Sequence, residues 1–231
     1  MTRMVQAALN GARWACTADE LAAEAIGAVT AGAHVVHVHA YEGGHETLAA
    51  EPCAAVVAAI RAACPGVPIS LTTSADIVSD PAERLELVAG WAELPELVTV
   101  NQGEAGVAEL CALLAERGIG IEAGLLALSD AETFARSGFA DACVRVLVEP
   151  LDEDPAVAVE HAAAMEAVLE AAGIELPQVH HGEGIASWTV NERAVRRGHG
   201  IRTGIEDCPV LPDGTPARDN AELVRAAVAL G

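Results

Sequence analysis

The chain has 231 residues, 52% of them hydrophobic, and 13 basic against 34 acidic side chains give it a formal net charge of −21. A surface this acidic repels nucleic acid and anionic membranes, so neither is expected as a partner. Every basic residue is an arginine; without lysine there can be no Schiff-base nucleophile, pyridoxal-phosphate anchor or P-loop lysine.

No apolar run approaches the roughly 20 residues that span a bilayer. The opening MTRMVQAALNGARW has neither a charged leader nor an apolar block before a small-residue cleavage site, so a cytoplasmic location is expected. Cys16, Cys53, Cys64, Cys111, Cys143 and Cys208 are scattered without a CxxC pair, the pattern of reduced thiols rather than a zinc ribbon or redox motif.

Along the chain, short β-rich runs alternate with longer Ala/Leu/Glu segments. The run VQAAL precedes the helix TADELAAEAIGAVTAG, in which Thr17 and Glu20 have capping-box spacing. HVVHVHA leads to AAEPCAAVVAAIRAAC, VPISLTT to DPAERLELVAGWAE, and ELVTVNQ to GVAELCALLAERG. IGIEAGLL then precedes SDAETFARSG, and ACVRVLV precedes DPAVAVEHAAAMEAVLEAAG. PQVHH is followed by TVNERAVRRG, where Thr189 and Glu192 repeat the capping-box spacing, and GIRTGIE by DNAELVRAAVAL. Eight strand–helix units with no linker or compositional break predict a single (β/α)₈ TIM-barrel domain over residues 1–231. The competing doubly wound sheet lacks its signature, since no GxGxxG follows the first strand.

A barrel gathers its reacting groups at the C-terminal ends of its strands. Those ends carry Asn10; His37 and His39; Thr72, Thr73 and Ser74; Asn101; Glu122; Arg145 and Glu149; His180, His181 and Glu183; and Glu206 with Asp207. In VVHVHA, His37 and His39 share a strand face, roughly 7 Å apart along the backbone. They are either two hydrogen-bonded core histidines or a pair of metal ligands. In HGIRTGIED, periodicity puts Arg202, Gly204 and Glu206 on one face. Two histidines and a carboxylate from another strand make a catalytic-type metal set with open positions.

Other groups are weaker candidates. His34 faces the helices, His45 sits in a glycine-flanked loop that could cover the mouth, and His161 reads as a surface residue. Only one of His180 and His181 can face the barrel. Gly182 and Gly184, ahead of a helix, could offer backbone amides to an anion. Arg193, Arg196 and Arg197 read as a solvated helix face, and Trp14, Trp91 and Trp188 as packing residues.

Three blocks, GAHVVHVHA, LTTS followed by PAERL, and HGIRTGIED leading into LPDGTPARDNAELV, resemble the β-keto acid cleavage enzymes, typified by 3-keto-5-aminohexanoate cleavage enzyme. The resemblance implies a metal-dependent TIM barrel holding zinc through His37, His39 and Glu206. It also implies a catalytic Asp207 supported by Arg202, with Glu122 and a hydroxyl at Thr73 or Ser74 assisting. The implied reaction is a retro-Claisen exchange in which a β-keto acid and acetyl-CoA give acetoacetate and an acyl-CoA. Asn10, Asn101, Arg145, His181, Gly182 and Gly184 are the expected substrate contacts. Arg145, Arg13 and the Gly182–Gly184 amides are candidates for the CoA phosphates, and a homo-oligomer is expected.

Overall fold

The computed structural model describes residues 3–230. Barrel strands β1 (Val5–Ala8) and β2 (Val35–Val38) precede a small hairpin, β3 (Tyr41–Glu42) and β4 (His45–Glu46). The remaining barrel strands are β5 (Ile69–Thr72), β6 (Leu97–Asn101), β7 (Gly120–Leu125), β8 (Cys143–Val148), β9 (Gln178–His180) and β10 (Gly200–Thr203). They close in the order β1-β10-β9-β8-β7-β6-β5-β2, and every barrel pairing is parallel. This is the (β/α)₈ barrel. Closure through β1–β2 and β1–β10 excludes the doubly wound sheet, which has two free edges.

The helices are α1 (Ala18–Ala31), α2 (Ala50–Ala63), α3 (Pro81–Ala89), α4 (Val107–Glu116), α5 (Leu128–Ser137), α6 (Pro155–Ala171), α7 (Ala186–Arg197) and α8 (Asn220–Val228). Their apolar stripes pack Leu21, Val57, Ile60, Leu110, Leu114, Phe134, Met165 and Leu223 onto the outer face of the sheet. Local signals act as read at several starts. Thr17 and Glu20 form the capping box, and Asp80, Asp154 and Asp219 accept from first-turn amides. The second expected box does not form: α7 begins three residues earlier, and Thr189 lies inside it, donating to the Ala186 carbonyl. The Arg193–Arg197 face is also not merely solvated. Arg193, Arg197 and His199 converge on the buried carboxylate of Glu166, joining α6 to α7.

The barrel interior departs from the usual branched-aliphatic filling. Gln6, Ser70, Thr99 and Glu122 are all buried there. Gln6 on β1 donates to Glu122 on β7 at 3.1 Å, a bond that crosses the barrel's width. All six cysteines are free and buried, and burial pushes the Cys53 thiol up to about 12. Among the described residues, no helix is long and apolar enough to cross a membrane.

Candidate active site

His37 is the third residue of β2, and its ring is buried at the barrel mouth. His39 follows just beyond the strand's last residue, Val38, and still turns inward because Asn10 grips the backbone on either side of its ring. Asn10 accepts from the His39 amide at 3.0 Å and donates to the His39 carbonyl at 3.0 Å. Asn10 is therefore a buried clamp between the ends of β1 and β2 rather than a wall of the cavity.

The two Nε2 atoms face each other at 3.3 Å, and Glu206 Oε1 lies 3.7 Å from that of His37 and 3.4 Å from that of His39. Each Nδ1 has a different partner: Ser70 Oγ at 3.0 Å for His37 and Glu46 Oε1 at 2.5 Å for His39. Glu46 comes from the hairpin, and neither it nor Ser70 is among the candidates that the sequence pattern singles out. Ser70 was legible as an inward position two residues before Thr72, whereas Glu46 depends on a loop fold that periodicity does not encode.

The β10 strand ends at Thr203, and the turn that follows resolves how adjacent acids serve one site. Strict alternation would send Asp207 outward. The turn instead brings both carboxylates onto Arg202, whose Nη2 is 2.5 Å from Glu206 Oε1 and 2.7 Å from Asp207 Oδ1. Two glycines make room. A Cβ on Gly204 would overlap the Ala8 carbonyl, and one on Gly11 would overlap the Glu206 side chain.

A cavity of about 410 Å³ opens over these groups, lined among others by Arg13, Ser74, Asp76, Asn101, Glu149 and Glu183. Arg13 spans the mouth, donating to the Glu206 carbonyl at 2.7 Å and pairing with Glu183. Ser74 and Asn101 line the cavity wall. Thr73 does not; it is buried and donates to the Thr99 carbonyl at 2.7 Å. Glu122 and Arg145 pair with each other at 2.7 Å inside the barrel and line no part of this cavity. Arg145 is the third residue of β8, so its inward side chain lies below the mouth.

The amides of Gly182 and Gly184 are already engaged, by Ser187 Oγ and the Asp207 carbonyl, so they are not free for an anion. His181 is the member of its pair that reaches the site, with its ring 3.3 Å from Glu149 and 3.7 Å from Asp207. His180 instead stacks on His199 at 4.7 Å. His45 is an exposed hairpin residue outside the cavity, and His161 pairs with Asp152 at the surface.

The electrostatics are those of a pocket seeking positive charge. Burial holds the His37 ring well below its usual range, against the pull of Glu206. Burial also opposes a charge on His39, yet Glu206 and Glu46 together raise it to about 9. Burial would lift Glu206, but Arg202, His39 and His37 hold it well below the usual carboxylate range. Asp207 goes the other way, to about 6, because burial and the Glu206 charge outweigh Arg202. Burial raises Glu149 to about 8, with Arg202 opposing and Asp207 and Glu206 reinforcing.

A divalent cation fits this donor set. Two imidazole Nε2 atoms and a carboxylate oxygen lie within 4.8 Å of one another, and Glu206 Oε2 is buried without a partner. Both Nδ1 atoms are held from behind, the arrangement that orients histidine ligands.

Fold and site together define a (β/α)₈ barrel with a His-His-Glu cluster and further carboxylates at its C-terminal mouth. The chain belongs to the β-keto acid cleavage enzyme family, whose model matches residues 4–231. No curated protein sequence matches it significantly. Among solved structures, ObcA in a ternary complex with a C4-CoA adduct and oxalate is 16% identical with a TM-score of 0.74, covering 91% of this chain and 62% of that one. ObcA in a binary complex with oxaloacetate is 16% identical with a TM-score of 0.71, covering 90% and 61%. The chain thus spans about three fifths of the length of ObcA. The 3-dehydroquinate dehydratase of Aquifex aeolicus VF5 shares the fold over 98% of this chain and 96% of its own, at 12% identity and a TM-score of 0.62.

Proposed function

We propose that the chain cleaves a β-keto acid by acyl exchange with acetyl-CoA in a zinc-dependent site held by His37, His39 and Glu206. The C2–C3 bond of the keto acid breaks. Its carboxymethyl fragment takes the acetyl group and leaves as acetoacetate, and the remaining acyl group ends on the CoA sulfur. A bound divalent ion supplies Lewis-acid stabilisation of negative charge on the substrate oxygens.

The protein's own residues do the rest. Asp207 borders the cavity beside Glu206 and accepts the substrate proton; a carboxyl near 6 is ionised at neutral pH and more basic than a free one. Arg202 aims it with a two-pronged grip, Nε at 3.1 Å and Nη2 at 2.7 Å. Ser74 and Asn101 offer a hydroxyl and an amide to the acyl portion from the opposite wall. His181 supports the site from behind Asp207 and Glu149.

The observation that carries this reading is the shared grip of Arg202 on two adjacent acids, one turned to the histidines and the other to the cavity. ObcA, similar in fold, has been solved with oxaloacetate, itself a β-keto acid, and with a CoA adduct. The test is acetoacetate and acyl-CoA production by zinc-loaded protein from a β-keto acid panel plus acetyl-CoA.

A second reading, cleavage or hydrolysis of a small keto acid without CoA, has an observation in its favour. Of three groups expected to hold CoA phosphates, Arg145 lies inside the barrel and the Gly182 and Gly184 amides are engaged. Only Arg13 remains at the mouth.

A further inference from the structure

Glu122 is completely buried, does not line the cavity at the mouth, and yet receives four donors. Gln6 Nε2 and Arg145 Nε approach Oε1 at 3.1 and 2.7 Å, while Ser70 Oγ and Thr99 Oγ1 approach Oε2, the latter at 3.2 Å. So many donors around one carboxyl need it as an acceptor on both oxygens. From this we propose that Glu122 is a positioning residue for the metal site, acting through the Ser70 hydroxyl to fix the His37 proton on Nδ1 and leave the Nε2 lone pair for the ion. The inference rests on the metal site proposed above and reassigns Glu122 from proton handling to alignment.

A hydroxyl has a single proton to give. Ser70 spends it on Glu122 Oε2, so toward His37 Nδ1, 3.0 Å away, it can present only a lone pair. Thr99 repeats the pattern, donating to the same carboxylate oxygen and lying 3.5 Å from the same Nδ1. A ring nitrogen facing two lone pairs must carry the hydrogen. A neutral imidazole has only one, so Nε2 is bare where it meets Glu206 and His39. Reversing the chain would leave Ser70 and Glu122, both fully buried, in lone-pair contact.

Arg145 distinguishes the two oxygens of Glu122, because it donates to Oε1 alone, whereas Gln6 Nε2 reaches Oε1 at 3.1 Å and Oε2 at 3.4 Å. That makes Glu122→Gln informative. Its carbonyl oxygen should stay with Arg145, which can only donate, leaving the amide group against Ser70 and Thr99. Ser70 would then accept from the amide and pass its own proton to His37 Nδ1. The ring would carry its hydrogen on Nε2, the atom the ion needs.

The experiment compares metal-free wild type, Glu122→Gln and the double variant Ser70→Ala/Thr99→Val by long-range ¹H–¹⁵N correlation of the His37 ring, and measures Zn²⁺ affinity by chelator competition. The double variant leaves the Glu122–Arg145 pair intact, so it decides the matter if Glu122→Gln does not fold. We expect an Nδ1–H ring in wild type, an Nε2–H ring in Glu122→Gln, and loss of the Nδ1–H preference in the double variant. Zn²⁺ affinity should fall about 10- to 100-fold in both variants, the usual cost of removing a group that orients a ligand. An Nε2–H ring in wild type, or variants that keep both the Nδ1–H signature and wild-type affinity, would overturn the inference. Failure of the metal reading looks different: wild type would not bind Zn²⁺ while the ring signatures still changed as described.

Discussion

The Nε2 atoms of His37 and His39 lie 3.3 Å apart with Glu206 beside both, while each Nδ1 is tied to a different residue behind it. Two imidazoles held nose to nose against a carboxylate need a positive charge between them, and a divalent ion provides it without a proton. Purified protein is expected to carry about one divalent ion per chain, zinc by preference, measured by plasma mass spectrometry. Added Zn²⁺ at 100 times its Kd should stabilise wild type by about 2.7 kcal/mol and raise its Tm. His37→Ala and Glu206→Ala should fold but show no such rise. A wild type that takes up no metal on supplementation would defeat the assignment.

Arg202 offers a second, separable test, because it holds Glu206 and Asp207 at once. Asp207→Asn removes a base without touching the three ligand atoms. It should retain the metal while kcat drops about 10²- to 10⁴-fold, the range for losing a general base. Arg202→Lys should fare little better, since an ammonium cannot reproduce the two-pronged grip. Metal content and turnover measured on the same preparations separate the two roles. Asp207→Asn with near-normal turnover would mean that the proton goes elsewhere.

The barrel was legible because its evidence is periodic. Eight apolar runs alternate with helical segments, and VVHVHA shows its two-residue period openly. The convergence of His37, His39 and Glu206 was legible for the same reason, as strand ends of a barrel must converge. What the sequence hid was depth. Glu122 and Arg145 belong to strands whose ends form the mouth, yet they meet inside the barrel beneath the cavity, because period reports which face a side chain takes and not how far up the strand it sits. Loop geometry was equally hidden. Nothing in GGHET announces that Glu46 will return to His39, and nothing in HGEG announces that its amides will be spent on Ser187 and Asp207.

Away from the site, Glu166 predicts an acid-dependent term in stability. Its carboxylate is buried, which would raise its pKa, but His199, Arg197 and Arg193 bring it down to about 2. A depressed carboxyl stabilises the fold above its unfolded value of 4.5 and loses that contribution as pH falls toward about 2. Glu166→Gln should therefore cost on the order of 3 kcal/mol at pH 7. Urea unfolding of the two proteins should show this gap narrowing between pH 4.5 and 2. A gap that persists unchanged through that window would point to lost packing instead of lost charge.

Whether CoA takes part turns on Arg13. It borders the cavity with its side chain 41% exposed, pairing with Glu183 across the opening. The chain around it carries a net charge of −21, so CoA phosphates meet repulsion everywhere except at such a local cation. The cavity of about 410 Å³ holds only part of a CoA molecule, which leaves much of a pantetheine arm either in solvent or against another subunit of the proposed homo-oligomer. Turnover of a short β-keto acid should accordingly require acetyl-CoA but with a high apparent KM, and the KM should rise further with salt as the phosphate attraction is screened. Arg13→Ala should raise the KM for acetyl-CoA several-fold, about the effect of one partly exposed charge pair, with little change in kcat. Glu183→Gln, which frees Arg13 from its partner, should lower it. Steady-state kinetics at two ionic strengths read out all three effects. Equal turnover with no CoA compound present would leave the metal site standing and favour cleavage or hydrolysis of the keto acid alone.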